Sequence, residues 1–362
     1  MKITFLHPPV NLSGGVRVVA THAEGLAARG HAVRHVSVTP PRAPLRRQIK
    51  SVLRGRGVIP RPSVRASHLD DTNVPHVILP TPTIAADQLP DADVVVATWW
   101  ETAEWMAALP ASKGAKVHLI QDYEMFDHLP QDRVDAVYRL PVHRVVVSDY
   151  IQRMLEQHHG ATGVDLVPNA VDLDHFTAPP RAKSDTLCVG VVYTERPRKN
   201  LALAIAALEV VKARLPHLRA VVFGTQEIAD FLPLPGWVVY HKDPPQRDIP
   251  GLYACADVWL FTSESEGFGL PLLEAMACRT PVLATDAGAA PDLVDGSNGE
   301  LLPAEVTAFA DALERFDALP DAVWRVYSQA AHQTAHRYTW DMAFDLMEQS
   351  LTRASAQSGP RR

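Results

Sequence analysis

The sequence predicts an α/β protein of two domains, each built on a parallel β-sheet with helices on its faces. The chain has 362 residues, which is more than a single hydrophobic core usually holds. Short apolar runs typical of buried strands alternate with helical patterns through both halves. A hydrophobic content of 47% with 21% charged residues favours a globular chain over a disordered one.

The first half contains six predicted strands, each followed by a turn or helix signal. Gly14 and Gly15 precede the first helix, and Gly30 is predicted to end it at the position after the C-cap. Ser148 is a good N-cap for a helix that continues to Gly160. Residues 40–90 are proline-rich and are expected to be irregular. The predicted strands are Ile3–Leu6, Val33–Val38, Val94–Ala97, Val117–Ile120, Val145–Val147 and Leu166–Val167.

The second half repeats this alternation after a proline-rich linker, so the domain boundary is expected near residue 177. A helix is predicted over Leu201–Arg214, and the chain from Pro320 onward is expected to be helical. The predicted strands are Leu187–Val192, Arg219–Phe223, Val238–Tyr240, Val258–Phe261 and Val282–Ala284.

A strand, a glycine loop and a helix follow one another in VWLFTSESEGFGLPLLE, residues 258–274. Pro271 suits the first helical turn, where its missing N–H costs nothing. Such a loop at a helix N-terminus favours an anion, because free N–H groups and the helix dipole point at it. Glu266 and Glu274 flank this site, and carboxylates suit hydroxyl groups rather than phosphate. The alternative is an ordinary turn with two solvated glutamates. The combination favours a nucleotide-sugar site.

The longer segment ESEGFGLPLLEAMACRTPVLATDAGAAPDLVDGSNGELL resembles the signature of retaining GT-B glycosyltransferases of family 4 (GT4). The resemblance implies two Rossmann-like domains with a cleft between them. It implies an acceptor-binding domain over residues 1–177 and a nucleotide-sugar-binding domain over residues 178–342. A C-terminal helix at about 343–358 would cross back onto the first domain. VPNAVD similarly resembles the family's VPNGVD element, with Ala170 in place of glycine.

The resemblance also implies roles for individual residues. Glu266 would lie beside the donor sugar and Glu274 would hold the ribose. The loop at Gly14 and Gly15 would approach the donor phosphate, and the base would lie near Tyr240. The remaining donor-binding positions that it implies are Gly267, Phe268, Gly269 and Leu270, and His241 belongs with Tyr240 to the region expected to contact the base.

Basic residues are expected at the diphosphate, since a cation there stabilises the charge that grows as the glycosidic bond breaks. The family usually has an arginine and then a lysine, but Val191 or Val192 stands where the arginine would fall. Lys199 is therefore predicted to be the catalytic cation. Arg196 or Arg198 would be its partner, the choice between them remaining open.

The loop after Ile120 contains QDYE, so Asp122 is a candidate to bind or deprotonate the acceptor hydroxyl. Ligands of parallel sheets bind at the carboxyl ends of strands, where this loop lies. A solvated loop acid is the alternative. QDYE together with PRKN, residues 197–200, is similar to rhamnosyl-transferring members of the family.

The predicted function is a retaining transfer of a sugar from a nucleotide-diphosphate sugar to a hydroxyl acceptor, such as a glycan, a glycolipid or a secondary metabolite. The sequence leaves open the base, the donor sugar and the route to retention. A sugar-nucleotide epimerase and a catalytically idle sugar-binding homologue are the alternatives. No cofactor and no metal site are expected, because no Asp-x-Asp follows a strand.

Residues 42–65 carry eight Arg or Lys and no acidic residue. Leu45, Ile49, Val52 and Leu53 recur at helical spacing within this stretch, which predicts a short basic amphipathic helix. It would either be a solvated face or contact an anionic membrane. A sequence pI of about 6.2 argues against a nucleic-acid-binding protein.

The compartment is predicted from the N-terminus and the cysteines. The segment MKITFLHPPV predicts a first strand rather than a signal peptide. The cysteines, Cys188, Cys255 and Cys278, are expected to be buried free thiols in a reducing compartment. The expected location is the cytoplasm, with possible association at the cytoplasmic face of a membrane.

Overall fold

The computed structural model describes residues 1–60 and 66–358, and the chain divides into two compact units. Unit 1 comprises Met1–Val146, Gln152–Val167 and the chain from Phe344 onward. Unit 2 comprises Val147–Ile151 and Pro168–Ala343. Each unit is an α/β body around its own parallel sheet.

Seven parallel strands form the sheet in the described part of unit 1. They are β1 Lys2–His7, β2 Ala32–Val38, β3 His76–Leu79, β4 Val94–Ala97, β5 Ala115–Ile120, β6 His143–Val146 and β7 Val164–Leu166. Their spatial order is β3-β2-β1-β4-β5-β6-β7, so the direction of winding reverses between β1 and β4. Val94, Val95 and Val96 are fully buried, because helices cover both faces of a doubly wound sheet.

The helices along this part of the chain are α1 Gly14–Ala28, α2 Leu45–Leu53, α3 Trp100–Ala107, α4 Gln131–Tyr138 and α5 Asp149–His159. Short 3₁₀ turns lie at Ala86–Gln88 and Ala111–Lys113. Gly30 ends α1 as predicted: its φ is +88°, and its N–H donates to Ala27 O at 3.0 Å. The positive φ is the reason that glycine suits this position.

Six parallel strands form the sheet in unit 2, in the order β10-β9-β8-β11-β12-β13. They are β8 Cys188–Val192, β9 Arg219–Gly224, β10 Val239–Lys242, β11 Val258–Phe261, β12 Val282–Ala284 and β13 Gly299–Leu301. The winding reverses between β8 and β11. Helices α6 Leu201–Arg214, α7 Ile249–Ala254, α8 Leu270–Ala277, α9 Ala290–Leu293, α10 Val306–Ala318 and α11 Asp321–Ala335 accompany them, with 3₁₀ turns at Pro197–Lys199 and Gln246–Asp248.

The last helix, α12, spans Trp340–Gln357. Its part within unit 1 is held to the end of α1 by charge. The Arg29 guanidinium donates to Asp345 at 2.6 Å, and His31 Nε2 lies 2.8 Å from a Glu348 oxygen. Phe344 packs where Gly25 has no side chain, since a Cβ there would lie 2.4 Å from the ring.

The structure confirms most predicted elements and corrects some. Strands Val94–Ala97 and Val258–Phe261 and helix Leu201–Arg214 have the predicted bounds. Strand β3 was missed because it lies within the proline-rich stretch expected to be irregular, and β13 was missed as well. The expectation of three buried thiols is wrong for Cys255, which is exposed because it follows the end of α7.

Helix α2 confirms the predicted helix around Ile49. The last residues of the predicted basic stretch, 61–65, lie outside the described residues.

Candidate functional site

A cavity of about 350 Å³ opens at the carboxyl ends of β8, β9 and β11 in unit 2. We call it the strand-end cavity. It lies where the strand order reverses, and in open parallel sheets this switch point is where ligands bind. The residues that matter below are Val191, Val192, Arg196, Lys199, Gly224, Thr225, Gln226, Asp243, Gln246, Ser263, Glu266 and Pro271, all of which line it.

Lys199 and Glu266, which both line the strand-end cavity, form an ion pair. The Lys199 ammonium donates to Glu266 Oε1, and the Ser263 hydroxyl donates to the same oxygen at 2.7 Å. The Glu266 side chain is 7% exposed and that of Lys199 is 23% exposed. A nearly buried carboxylate needs such partners to remain charged. The pair therefore places one cation and one anion side by side at the ligand edge of the sheet.

Two loops hold this pair in register. The loop before α6 and the loop after β11 are joined by main-chain contacts: Glu264 N donates to Arg198 O at 2.8 Å, and Thr262 Oγ1 donates to Asn200 O at 3.0 Å. The Asn200 side-chain amide also donates to a Glu264 oxygen at 3.0 Å. Because both loops are tied together, Lys199 and Glu266 meet without depending on their own ion pair.

The loop after β12 packs behind Glu266. Gly288 has a φ of +59°, and a Cβ there would lie 2.7 Å from both Glu266 Cβ and Phe268 O. Ala289 N donates to Phe268 O at 2.8 Å, which fixes the same turn. Only glycine permits this close approach. The turn that carries Glu266 is thus packed against the loop after β12.

Glu274 lies one turn into α8 and is buried. Its Oε2 accepts a hydrogen bond from the Tyr253 hydroxyl at 2.8 Å. Tyr253 belongs to α7, whose first residue, Ile249, lines the strand-end cavity, as does Pro271 of α8. The carboxylate is therefore oriented by a neighbouring helix that shares the wall of the cavity.

Helix α8 begins after Gly269, whose φ of +100° only glycine adopts readily. A Cβ at Gly269 would lie 2.8 Å from the Phe261 ring. The position of Gly267 is fixed because its carbonyl oxygen accepts a hydrogen bond from the Ser148 hydroxyl at 2.6 Å. The N-terminus of α8, at Leu270, follows a buried loop that includes Phe268.

Sequence reasoning left two arginines open, and the structure separates them. Arg196 lines the strand-end cavity with Lys199, whereas Arg198 carries the main-chain contact to Glu264 and is not among the lining residues. The Tyr240 hydroxyl donates to Gln226 O at 2.5 Å, so Tyr240 contacts a residue that lines the cavity without lining it itself. His241 follows Tyr240 in β10 and does not line the cavity either.

The lining residues that sequence reasoning missed lie just past the strand ends. They are Thr225, Gln226, Asp243, Gln246 and Ser263. The sequence pattern that could have predicted these residues is their position directly after, or near the end of, an apolar strand. Asp243 adds backbone evidence, because its φ of +45° is rare outside glycine.

In unit 1, the loop after β5 carries Gln121, Asp122 and Glu124. A Cβ on Gly15 would lie 3.5 Å from Gln121 Nε2, so the start of α1 and this loop are neighbours. Asp122 is half-buried. Gln121 Oε1 is buried without a hydrogen-bond partner among residues 1–60 and 66–358.

Glu124 is fully buried, and burial raises its pKa well above the usual value, although Trp100 N donates to its Oε2 at 2.9 Å. Its own N–H donates to the Tyr138 hydroxyl. Glu124 therefore holds the loop to α3 through a carboxyl group whose charged form is disfavoured by burial.

Unit 1 also buries several histidines. His7 Nε2 and His35 Nδ1 lie 2.9 Å apart, and His35 and His118 lie inside the sheet. Burial lowers the pKa of His7 well below its usual value, that of His22 to about 4, and those of His35 and His118 to about 3. These side chains are therefore neutral at neutral pH.

Among residues 1–60 and 66–358, no three His, Cys, Asp or Glu side chains are grouped so that they could hold a metal ion. No helix there combines the length and apolarity needed to cross a membrane.

Two doubly wound parallel sheets, one in each unit, define the GT-B class of fold. Family comparisons agree with this class. The model of glycosyltransferase family 4 matches residues 12–175, and that of the glycosyl transferases group 1 matches residues 183–317. The chain belongs to this family of glycosyltransferases.

Individual relatives are similar to the chain over different lengths. The D-inositol 3-phosphate glycosyltransferase of Mycobacterium tuberculosis is 32% identical over 251 residues, which cover 62% of this chain and 50% of the relative. The chain thus spans about half the length of the curated relatives that it matches. Sucrose-phosphate synthase from Thermosynechococcus elongatus has the same fold, with a TM-score of 0.72, 18% identity and coverage of 99% and 100%. Anabaena HepE in complex with UDP and glucose has a TM-score of 0.73, 19% identity and coverage of 98% and 100%.

Proposed function

We propose that the protein transfers a sugar from a nucleotide-diphosphate sugar to a hydroxyl acceptor, with retention of the anomeric configuration. The ion pair between Lys199 and Glu266 at the switch-point edge of unit 2 carries this proposal. It offers a cation for a diphosphate and a carboxylate for sugar hydroxyls, side by side on one cavity. Family membership supports the same reaction class, and the uridine nucleotides and glucose bound by HepE are in keeping with it.

The diphosphate is proposed to lie between Lys199 and the N-terminus of α8. As the glycosidic bond breaks, negative charge grows on the diphosphate, and Lys199 would meet it after leaving Glu266. Arg196 lines the same cavity and is proposed as the second cation. The amides near Gly269 and Leu270 add the positive end of the helix dipole. Positive charges beside the leaving diphosphate stabilise the transition state.

The nucleoside is proposed to occupy the walls formed by Thr225, Gln226 and Asp243. Glu274, oriented by Tyr253, would accept hydrogen bonds from the ribose hydroxyls. Glu266 would bind hydroxyls of the donor sugar, because Ser263 and Lys199 keep it charged and fixed. No metal is needed in this arrangement, so activity is expected to survive EDTA.

The acceptor hydroxyl is proposed to bind at the loop after β5 in unit 1, with Asp122 as its proton acceptor. Glu124 is less suited to this task, since it is buried and its Oε2 already accepts a hydrogen bond from Trp100 N. Gly15 lies next to Gln121 in the same unit, and Gly14 and Gly15 are proposed to admit a ligand close to the backbone.

A rhamnosyl-type donor is consistent with the QDYE and PRKN segments, although another hexosyl donor is equally compatible with the cavity. We propose the domain roles accordingly, with unit 1 for the acceptor and unit 2 for the donor.

Contact with an anionic membrane is proposed for α2. Leu45 is 75% exposed and Leu53 is 81% exposed, and Ile49 and Val52 extend the same apolar stripe. Arg46, Arg47, Lys50 and Arg54 are exposed on the remaining faces of the helix. Basic side chains near an anionic surface contribute about 1 kcal/mol each, screened within a Debye length. A lipid-linked or membrane-proximal acceptor would fit this arrangement.

Vesicle flotation at low and high salt tests the membrane proposal. Recovery with anionic vesicles at low salt, lost at high salt and in a Leu45→Ala/Leu53→Ala variant, is the expected result. Equal recovery with neutral vesicles, or none with either, would make α2 a solvated face.

Product analysis with and without acceptor tests the reaction. A thermal-shift screen over UDP, GDP, ADP and dTDP first identifies the nucleotide, since a ligand at a hundred times its Kd should contribute about 2.7 kcal/mol. The corresponding sugar donor should then give a glycoside only when an acceptor is present. Conversion of donor alone would identify an epimerase, and binding without turnover would identify an idle homologue.

A further inference from the structure

A second cavity, of about 440 Å³, lies at the amino ends of strands β8 and β9 in unit 2, whereas the strand-end cavity lies at their carboxyl ends. We call it the thiol cavity, because Cys188 and Cys255 both line it, with Arg181 and Arg219 beside them. Cys188 and Arg219 are the first residues of β8 and β9, and Cys255 follows α7. Nothing in the proposed transfer reaction uses these groups.

The two thiols are in contact but differ in exposure. Cys188 is buried at the start of β8, and its N–H donates to Asp257 Oδ2 at 2.9 Å, which fixes the strand. Cys255 is exposed at the C-terminus of the short helix α7. The sulfur atoms are close enough for a hydrogen bond between the side chains. One thiol is therefore reachable from solvent, and the second lies directly behind it.

The electrostatics of the thiol cavity favour a thiolate at Cys255. Hydrogen bonding from Cys188 lowers the pKa of the Cys255 thiol to about 7, and the positive charges of Arg181 and Arg219 act in the same direction. The same contact, together with burial, raises the pKa of Cys188. A reactive cysteine is a thiolate in an exposed, electropositive setting, and Cys255 meets both conditions.

We propose that Cys188 and Cys255 form a redox-active dithiol that a hydroperoxide oxidises to an intramolecular disulfide. In the first step the Cys255 thiolate attacks the peroxide oxygen, and the O–O bond breaks to give a sulfenic acid and hydroxide, which takes up a proton to form water. The Cys188 thiol then attacks the Cys255 sulfur, and the S–O bond breaks. In total, two thiols and one hydrogen peroxide give one disulfide and two waters. A thioredoxin-type dithiol, or two molecules of glutathione, reverses the step by thiol–disulfide exchange and is itself oxidised to a disulfide.

Disulfide formation requires the Sγ atoms to approach to about 2.05 Å, which is closer than two hydrogen-bonded thiols. Cys188 is held by the sheet, whereas Cys255 is the C-cap of the six-residue helix α7 at the surface. The Cys255 side chain supplies the shift by giving up the hydrogen bond that its Sγ donates to Leu252 O at 3.2 Å. In a reducing compartment such a disulfide would be transient, as redox-sensing pairs are.

Cys278 provides the internal control. It is buried, and burial raises its pKa to about 12, so it is a neutral and inaccessible thiol. It does not line the thiol cavity. Peroxide should therefore distinguish Cys188 and Cys255 from the third cysteine of the same unit.

The experiment treats the full-length protein with hydrogen peroxide and counts thiols under denaturing conditions. The titre should fall from three to one, with a disulfide-linked peptide pair containing Cys188 and Cys255 in mass spectrometry. In Cys188→Ala, Cys255 should persist as a sulfenic acid that dimedone traps. The pH midpoint of its alkylation, near 7 in the natural sequence, should also rise. Cys278→Ser should form the disulfide normally.

Three results would overturn the proposal. Retention of all three thiols would show that Cys255 is not reactive, and a disulfide to Cys278 or between two chains would show that Cys188 is not its partner. An alkylation midpoint unchanged by Cys188→Ala would show that the two thiols do not interact. None of these readouts depends on nucleotide binding, so they are independent of the proposed transferase activity.

Discussion

Units 1 and 2 are both doubly wound parallel sheets, yet they treat polar side chains in opposite ways. Unit 2 keeps charged groups at the ligand edge of its sheet, where Lys199 and Glu266 form an ion pair and Glu274 is held by Tyr253. Unit 1 buries histidines that are neutral at pH 7, such as His35 and His118, and the carboxyl group of Glu124, whose charged form is disfavoured by burial. Charged side chains suit a ligand that is itself charged, as a diphosphate is. Neutral polar groups suit an uncharged hydroxyl.

The largest expected effect follows from removing one of the charged side chains of unit 2. Lys199→Ala should lower kcat by about 10²–10³, because it removes a cation that meets charge developing in the transition state. KM should change less than kcat. Lys199→Arg should recover part of the rate, and activity of the unchanged protein should survive EDTA.

Arg198→Ala is the matched control, since Arg198 neighbours Lys199 without lining the cavity. A rate within about threefold of the original is expected. An equal loss in both alanine variants, or rescue of EDTA-treated enzyme by Mg²⁺ alone, would contradict the role of Lys199.

The next effect concerns nucleotide affinity. Glu274→Ala should weaken nucleoside diphosphate binding at least about tenfold, since a hydrogen bond to a charged group contributes about 1.5–3 kcal/mol. Tyr253→Phe should weaken it less, because the carboxylate remains while its orientation loosens. Calorimetry measures both, and an unchanged Kd in Glu274→Ala would remove the ribose assignment.

A smaller effect tests how tightly unit 2 supports its cavity. A Cβ on Gly190 would lie 2.0 Å from the buried ring of Trp259, which lines the strand-end cavity. Gly190→Ala should therefore lower the free energy of unfolding by about 1–3 kcal/mol through overpacking. Gly236→Ala has open space and should change it by less than about 0.5 kcal/mol. Denaturant unfolding compares the two, and equal midpoints would contradict the packing account.

The smallest expected effect concerns the buried neutral histidines of unit 1. The pKa of His118 is lowered to about 3 in the folded protein from about 6.5 in the unfolded chain. Its contribution to stability is thus complete above pH 6.5 and is lost as the pH falls toward 3, because the unfolded state binds the proton first. Between pH 6 and 5 this amounts to about 1 kcal/mol.

His118→Gln should flatten the pH dependence of the unfolding free energy over that interval, while His128→Gln, an exposed position in the same unit, should leave it unchanged. Hydrogen exchange should show unit 1 opening before unit 2 as the pH falls. Parallel slopes in all three proteins would mean that His118 is already charged when folded.

The regular elements could be predicted because each is a local pattern. Val258–Phe261 is an apolar run bounded by polar residues, and Leu201–Arg214 has an uninterrupted helical composition. Strand β3 could not be predicted in the same way. Val77 and Ile78 are partly exposed on an edge strand, and the prolines around them indicate a loop.

The candidate site was predictable as a set of residues but not as an arrangement. The positions of Lys199 and Glu266 follow from the family resemblance, whereas their ion pair joins residues 67 positions apart and depends on the two tied loops. Ser263, Asp243 and Gly288 were missed because a loop residue gains its role from neighbours distant in sequence. Exposure of Cys255 was missed for the related reason that helix ends are not marked by hydrophobicity alone.

The central claim is that the strand-end cavity binds a diphosphate through Lys199. Calorimetry with a nucleoside diphosphate and with the same nucleoside, for the natural sequence and for Lys199→Ala, tests it most directly. The account predicts that Lys199→Ala weakens the diphosphate about tenfold or more and leaves the nucleoside unchanged, since only the first places negative charge beside the ammonium. Equal weakening of both ligands, or of neither, would contradict it.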